Sequence, residues 1–153
     1  MSHTNVALIR AIYDAFAAGD IPGILSRMSP DMVWNEAENF PYADRNPYVG
    51  PDAILAGVFG RIAAEWDGFA AVPEEILDAG DTVIALGRYR GTCIATGEEM
   101  NAQMVHVWRV ADGKATARVS AYCWKAVALP PATRQTWTIC AFIVPPVALQ
   151  VPR

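Results

Sequence analysis

Residues 100–124 read MNAQMVHVWRVADGKATARVSAYCW, two extended-type runs on either side of Ala111-Asp112-Gly113-Lys114. Side chains of an extended chain alternate between two faces, so Ala102, Met104, His106 and Trp108 share one face of the first run. The Asp-Gly pair marks a turn, which makes Met100 to Val110 and Ala115 to Trp124 consecutive strands. Upstream, Thr82 to Thr92 reads as a third strand, bounded by Asp78-Ala79-Gly80-Asp81 and by Thr96-Gly97-Glu98. Val72 to Leu77 has a weaker strand signal, interrupted by Pro73 and two glutamates.

The chain ahead of these strands is helical in period. Thr4 or Asn5 can cap a helix in which Val6, Ile9, Tyr13 and Phe16 recur at helical spacing, with Ile12 widening the stripe. Gly19 stops it, and Asp20 caps a short second helix, Ile21 to Met28, with Pro22 in its first turn. Asp31 to Glu36 reads as a strand and Ala37 to Val49 as a loop. Gly50-Pro51-Asp52 opens a third helix whose apolar face holds Ile54, Leu55, Val58, Phe59, Ile62 and Trp66. Helices first and strands afterwards predict an α+β domain, an antiparallel sheet with helices on one face.

Composition narrows the function classes. Of 153 residues, 53% are hydrophobic and 18% charged, with net charge −4, so a single domain can bury its own core. No Lys or Arg run appears, which argues against nucleic acid as a partner. No stretch is apolar enough to predict a membrane helix, and the N-terminus lacks a signal-peptide pattern, so a cytoplasmic protein is expected. Cys93, Cys123 and Cys140 form no CxxC pair and His3 and His106 are the only histidines. No metal site and no cofactor are therefore expected, and the cysteines read as buried free thiols. The segment 126–153 is set apart as a Pro-rich apolar extension of a domain spanning 1–125. It carries five of the eleven prolines and an apolar run from Trp137 to Val144. It suits either a sheet edge or a partner subunit.

Chemistry in a pocket without metal requires a base, a donor for developing charge and dry walls. Glu36, at the end of the first strand, is the base candidate, and an apolar setting would raise its pKa. His106, among apolar neighbours, is the donor candidate, since a neutral imidazole can hydrogen-bond a carbonyl oxygen. Tyr13, Trp34, Tyr48, Phe59, Trp66, Met104, Tyr122 and Trp124 are expected to line a hollow for a small hydrophobic organic ligand. Arg88 and Arg90 share a strand face and read as solvated surface, while Asp14 reads as a helix-surface charge and Asp52 as a helix-start charge. No phosphate loop or nucleophilic triad is present.

Several motifs in order give these residues a frame: Ile12-Tyr13-Asp14-Ala15-Phe16-Ala17-Ala18-Gly19-Asp20, Ser29-Pro30-Asp31-Met32-Val33-Trp34, Val49-Gly50-Pro51-Asp52-Ala53-Ile54, His106-Val107-Trp108-Arg109-Val110 before Asp112-Gly113-Lys114, and Ala121-Tyr122. Together, over about residues 5 to 124, they resemble the ketosteroid isomerase and SnoaL-like polyketide cyclase branch of the nuclear transport factor 2-like superfamily. The resemblance implies a cone-shaped, cystatin-like α+β barrel, its curved sheet wrapped around the helices, and a homodimer. It places Glu36 where ketosteroid isomerases keep the proton-shuttling carboxylate and His106 where they keep an oxyanion-hole acid. The family's oxyanion tyrosine falls at about Ile12; Tyr13 lies ~100° further round the helix, leaving Tyr42, Tyr48 or Tyr122 as replacements. The acid of SnoaL-type cyclases has no counterpart, Ser120 or its neighbours standing there, and the final strand carries one extra residue. The implied function is isomerase or cyclase chemistry on a hydrophobic carbonyl compound, the alternative being a non-catalytic binding or assembly module on the same fold.

Overall fold

The computed structural model describes residues 2–38 and 40–121. Tyr122, Cys123, Trp124, Cys140 and the extension 126–153 lie outside the described residues. Helix α1 (Ser2–Ala17) and the short α2 (Ile21–Leu25) lead into β1 (Met28–Asn35). A 3₁₀ turn (Pro41–Arg45) and the two-residue β2 (Tyr48–Val49) follow. Then α3 (Pro51–Ile54), a π-helical turn (Leu55–Phe59) and α4 (Gly60–Glu65) run on without a break. Four long strands complete the chain: β3 (Trp66–Ala79), β4 (Thr82–Cys93), β5 (Glu99–Ala111) and β6 (Lys114–Ala121). The sheet order is β2-β1-β6-β5-β4-β3. The expected α+β class holds, with one amendment: β1 and β6 pair in parallel, while the other neighbours are antiparallel.

Local chemistry accounts for most element boundaries. Gly19 ends α1 at φ +68°, where a Cβ would be strained. The Asp20 carboxylate accepts the Gly23 amide at 2.9 Å and so caps α2, whose Pro22 occupies the first turn. Asp112 and Gly113 both take positive φ, 50° and 71°, the combination that closes a two-residue hairpin between Ala111 and Lys114.

Two expectations are corrected here. Trp66 opens β3 instead of closing the third helix, and Leu55 is partly exposed rather than part of the buried stripe. The cause is the π-helical turn: its extra residue shifts the helix phase, so adjacent Val58 and Phe59 both face the core. Strand β3 is also far longer than the interrupted pattern of Val72 to Leu77 predicts. As the edge strand of the described sheet it tolerates Pro73, beside which the pairing with β4 shifts register. Gly87 stands opposite Pro73, and a Cβ there would fall 2.0 Å from the Val72 carbonyl oxygen. Glycine allows that close approach.

The core sits between α1, the third helical run and the concave face of the sheet. Ile9, Ile12, Tyr13, Ile54, Val58, Val83, Met104 and Trp108 are all buried there. The opposite face of β4–β6 carries Ile84, Leu86, Val105, Val107 and Val119, held together by the pairs Ile84↔Val107, Leu86↔Val105 and Val107↔Val119. Val119 is 49% exposed. No described helix is long and apolar enough to cross a membrane.

Candidate functional site

The register of the sheet assembles the site. Trp34 on β1 pairs with Arg118 on β6, and Arg118 pairs with Trp108 on β5, so the three lie in one row on the concave face. Two residues further along, the next inward row holds Ser120 and its partner His106. Glu36 lies two residues past Trp34, just beyond the end of β1, and so points the same way. Its backbone is held where the ladder stops. The Asn46 side chain accepts the Glu36 amide at 2.9 Å and donates to its carbonyl at 2.8 Å, standing in for a neighbouring strand.

Glu36 is buried, as expected, but it is not alone. Arg118 donates to Oε1 from its Nη1 at 3.2 Å, Trp34 donates its indole N–H to the same oxygen at 2.7 Å, and Ser120 donates to Oε2 at 3.3 Å. The lone dry carboxyl of the sequence reading is thus one half of a fully buried ion pair. The guanidinium also lies 3.9 Å above the Trp34 ring, a cation–π contact strengthened by the absence of water. Its second amino group, Nη2, lies 3.0 Å from the Tyr89 hydroxyl and 2.6 Å from His106 Nε2. Tyr89 touches the same ring nitrogen. On the other side of the ring, Nδ1 lies 2.6 Å from the Tyr13 hydroxyl, which also accepts the Trp108 indole N–H at 3.1 Å.

Burial sets the protonation of this chain of groups. His106 is pushed well below 6.5, first by loss of water and then by the positive charge of Arg118, so the imidazole is neutral at pH 7. Tyr13 is pushed up to about 12 by burial, against the opposing pull of Arg118 and the Trp108 N–H, and keeps its proton. Burial likewise raises Tyr89.

These groups line one end of a hollow with about 480 Å³ of atom-free space, its open mouth included. The remaining wall is apolar and aromatic, with Phe16, Phe40, Phe59, Phe69 and Trp108 prominent. Of the sequence candidates, Glu36, His106, Tyr13, Trp34 and Phe59 line the hollow. Ile12 and Tyr13 both reach it despite their ~100° offset, because the cavity wraps around that end of α1. Tyr13 thus lines the hollow from the position next to the one that the resemblance gives the family's tyrosine.

Three other candidates lie elsewhere. Met104 is buried but does not line the cavity. Tyr48 donates to the Tyr42 carbonyl at 2.6 Å, and its ring fills the space that a Cβ on Gly57 would need. Trp66 donates to the Tyr42 hydroxyl at 3.1 Å, and Tyr42 itself donates to Glu65 at 2.8 Å. Neither Tyr42 nor Tyr48 is thus available as the replacement donor. Tyr122 and Trp124 lie outside the described residues. Sequence reasoning missed Arg118 and Tyr89. No cluster of metal-ligating side chains occurs among the described residues.

The profile of the family described as SnoaL-like domain matches residues 9–118. An NTF2-like protein from Burkholderia thailandensis E264 is 34% identical with a TM-score of 0.73, over 76% of this chain and 88% of that one. TerC, crystallised with polyporic acid, is 30% identical with a TM-score of 0.70, over 78% of this chain and 91% of that one. IdmH, a putative polyketide cyclase from Streptomyces antibioticus, is 22% identical with a TM-score of 0.63 over 76% and 89%, a likeness of fold. No curated protein matches the sequence.

Two outcomes follow for the ion pair and the imidazole. Arg118→Met strands the Glu36 carboxylate in a dry site, and unfolding free energy from urea titration is expected to fall by about 3–5 kcal/mol. The double change Glu36→Gln/Arg118→Met removes both charges and should recover much of that loss. For His106, the unfolded chain takes up a proton near pH 6.5 while the native imidazole does not until well below it. Below about pH 6.5 the unfolded state therefore binds more protons, and stability falls as pH drops, by up to about 1.4 kcal/mol per pH unit. In His106→Gln this part of the slope is expected to vanish, as denaturation midpoints across that window will read.

Proposed function

This chain belongs to the SnoaL-like domain family, and from that premise we propose that its hollow binds a small hydrophobic carbonyl compound and moves a proton on it. The observation that carries the proposal is the meeting of a carboxylate, Glu36, and a protonated hydroxyl, Tyr13 backed by His106, at one end of a single aromatic hollow. Glu36 takes a proton from the carbon next to the carbonyl. The C–H electron pair moves into the enolate and its oxygen becomes negative. Return of the proton from Glu36 to a different carbon completes an isomerisation; attack of the enolate carbon on a second carbonyl closes a ring, the C=O π pair going to its oxygen, which takes the proton from Glu36.

His106 cannot itself donate to such an oxygen without giving up one of its present partners, so its part is played through Tyr13. Arg118 touches both ends of the reaction, the carboxylate through Nη1 and the His106–Tyr89 side through Nη2. When the proton passes from substrate to Glu36, negative charge leaves the carboxylate and appears on the substrate oxygen. One fixed guanidinium balances it in either place. The co-crystallisation of TerC with polyporic acid supports a small organic ligand here too. A buried, unpaired Cys93 fits a cytoplasmic setting. The apolar outer face of β4–β6 fits a homodimer, with the same surface meeting itself across a two-fold axis.

A non-catalytic binding module is the alternative reading. It is favoured by the three hydrogen bonds that Glu36 already accepts, which hold its carboxylate away from reaction.

Solvent-deuterium uptake into a panel of aromatic and polycyclic enones separates the two readings. The enzyme reading expects uptake above the buffer rate, reduced about 10²–10⁴-fold in Glu36→Gln. Equal rates in both proteins would remove Glu36 from the mechanism. A ligand that raises the melting temperature without any exchange would favour the module. For the dimer, sedimentation equilibrium is expected to give twice the chain mass, and Val107→Glu to give a monomer; a monomeric wild type would sink that assembly.

A further inference from the structure

We propose that Arg118 is a positioning residue that locks neutral His106 in its Nδ1–H form and thereby makes the Tyr13 hydroxyl an obligate donor into the hollow. The inference deepens the proposed reading by fixing what the ligand must present. A guanidinium nitrogen can only donate, and Arg118 Nη2 stands 2.6 Å from His106 Nε2. A hydrogen on Nε2 would set two N–H groups against each other at that distance, so Nε2 carries the lone pair; Tyr89, whose oxygen already accepts from Nη2, adds its hydroxyl hydrogen to the same lone pair as a second donor. The ring is neutral, so its single hydrogen sits on Nδ1 and points at the Tyr13 oxygen 2.6 Å away. The indole N–H of Trp108 is also a donor only, and it reaches the same oxygen at 3.1 Å. Both acceptor positions of Tyr13 are then filled from the protein.

What remains is the hydroxyl hydrogen. Held on oxygen by the burial of the group, it has no protein acceptor among the contacts of Tyr13, and Tyr13 lines the hollow. The site is therefore built to meet an acceptor at that point: a ketone, an enolate or a phenolate oxygen. A ligand group that can only donate meets a donor there. The opposite tautomer would let Tyr13 give its proton to Nδ1 and offer the ligand nothing. A single buried charge on β6 thus decides what a tyrosine on α1 can recognise.

The test reads the imidazole directly, in the full-length protein without ligand. Proton–nitrogen correlation spectra of selectively labelled histidine are expected to show His106 Nδ1 as the protonated, pyrrole-type nitrogen and Nε2 as the pyridine-type one, unchanged from pH 8 to pH 6 as far as the lowered pKa allows. A protonated Nε2 in the wild type would overturn the proposal. In Glu36→Gln/Arg118→Met, which keeps the site free of unpaired charge, the lock is released and signal from the Nε2–H form should appear. An unchanged spectrum there would take Arg118 out of the role. Because the spectra need no turnover, failure of this inference and failure of the proton-transfer reading are separate outcomes.

Discussion

A guanidinium with almost no water contact must have its charge answered from within the protein, and the concave side of this sheet is organised around that requirement. Arg118 is 2% exposed, and the groups that answer it come from across the fold. Glu36 supplies the opposite charge from beyond β1, Trp34 a π face from β1, and Tyr89 a hydroxyl from β4. Removing either Glu36 or Arg118 strands a charge in a dry site, which is far more destabilising than losing an ordinary surface pair. The polar end of the hollow is thus tied together by contacts that have a structural cause independent of any reaction.

That same arrangement gives the site its electrostatic character. The imidazole is neutral partly because Arg118 is close, and the tyrosines stay protonated because they are dry. A neutral histidine between two protonated phenols supplies hydrogen bonds without adding a second charge to a buried space. The only formal charges lining the hollow among the described residues are Glu36 and Arg118, which cancel. An apolar wall and a neutral polar end suit a ligand that arrives uncharged and changes its charge only after it is bound.

Much of this was legible in the sequence. The strands from Thr82 to Val110, the turn at Asp112-Gly113, the cap at Asp20 and the inward set of Trp34, Glu36 and His106 follow from period and turn chemistry. The π-helical turn was not legible, because one inserted residue changes the phase of a helix without changing its composition. Tyr13 was legible as a lining residue, but not its contacts with His106 and Trp108, which only the packing of α1 on the sheet brings about. Arg118 was hidden for a different reason. In Ala117-Arg118-Val119-Ser120 the binary pattern puts the apolar residues inside, yet Val119 is 49% exposed while Arg118 and Ser120 are buried. Tyr89 is different: with Arg88 and Arg90 on the solvated face, strand alternation places it on the inner one.

The inverted polarity of β6 has a bearing on how the chain reaches its native state. Sliding this strand by one position would turn Val119 inward and Arg118 outward, which the hydrophobic effect acting on β6 in isolation favours. What opposes the slip is Glu36, held just beyond the end of β1 with its charge facing Arg118. The native register is the one in which the two charges meet, and the same pairing brings His106 and Ser120 to the inner face.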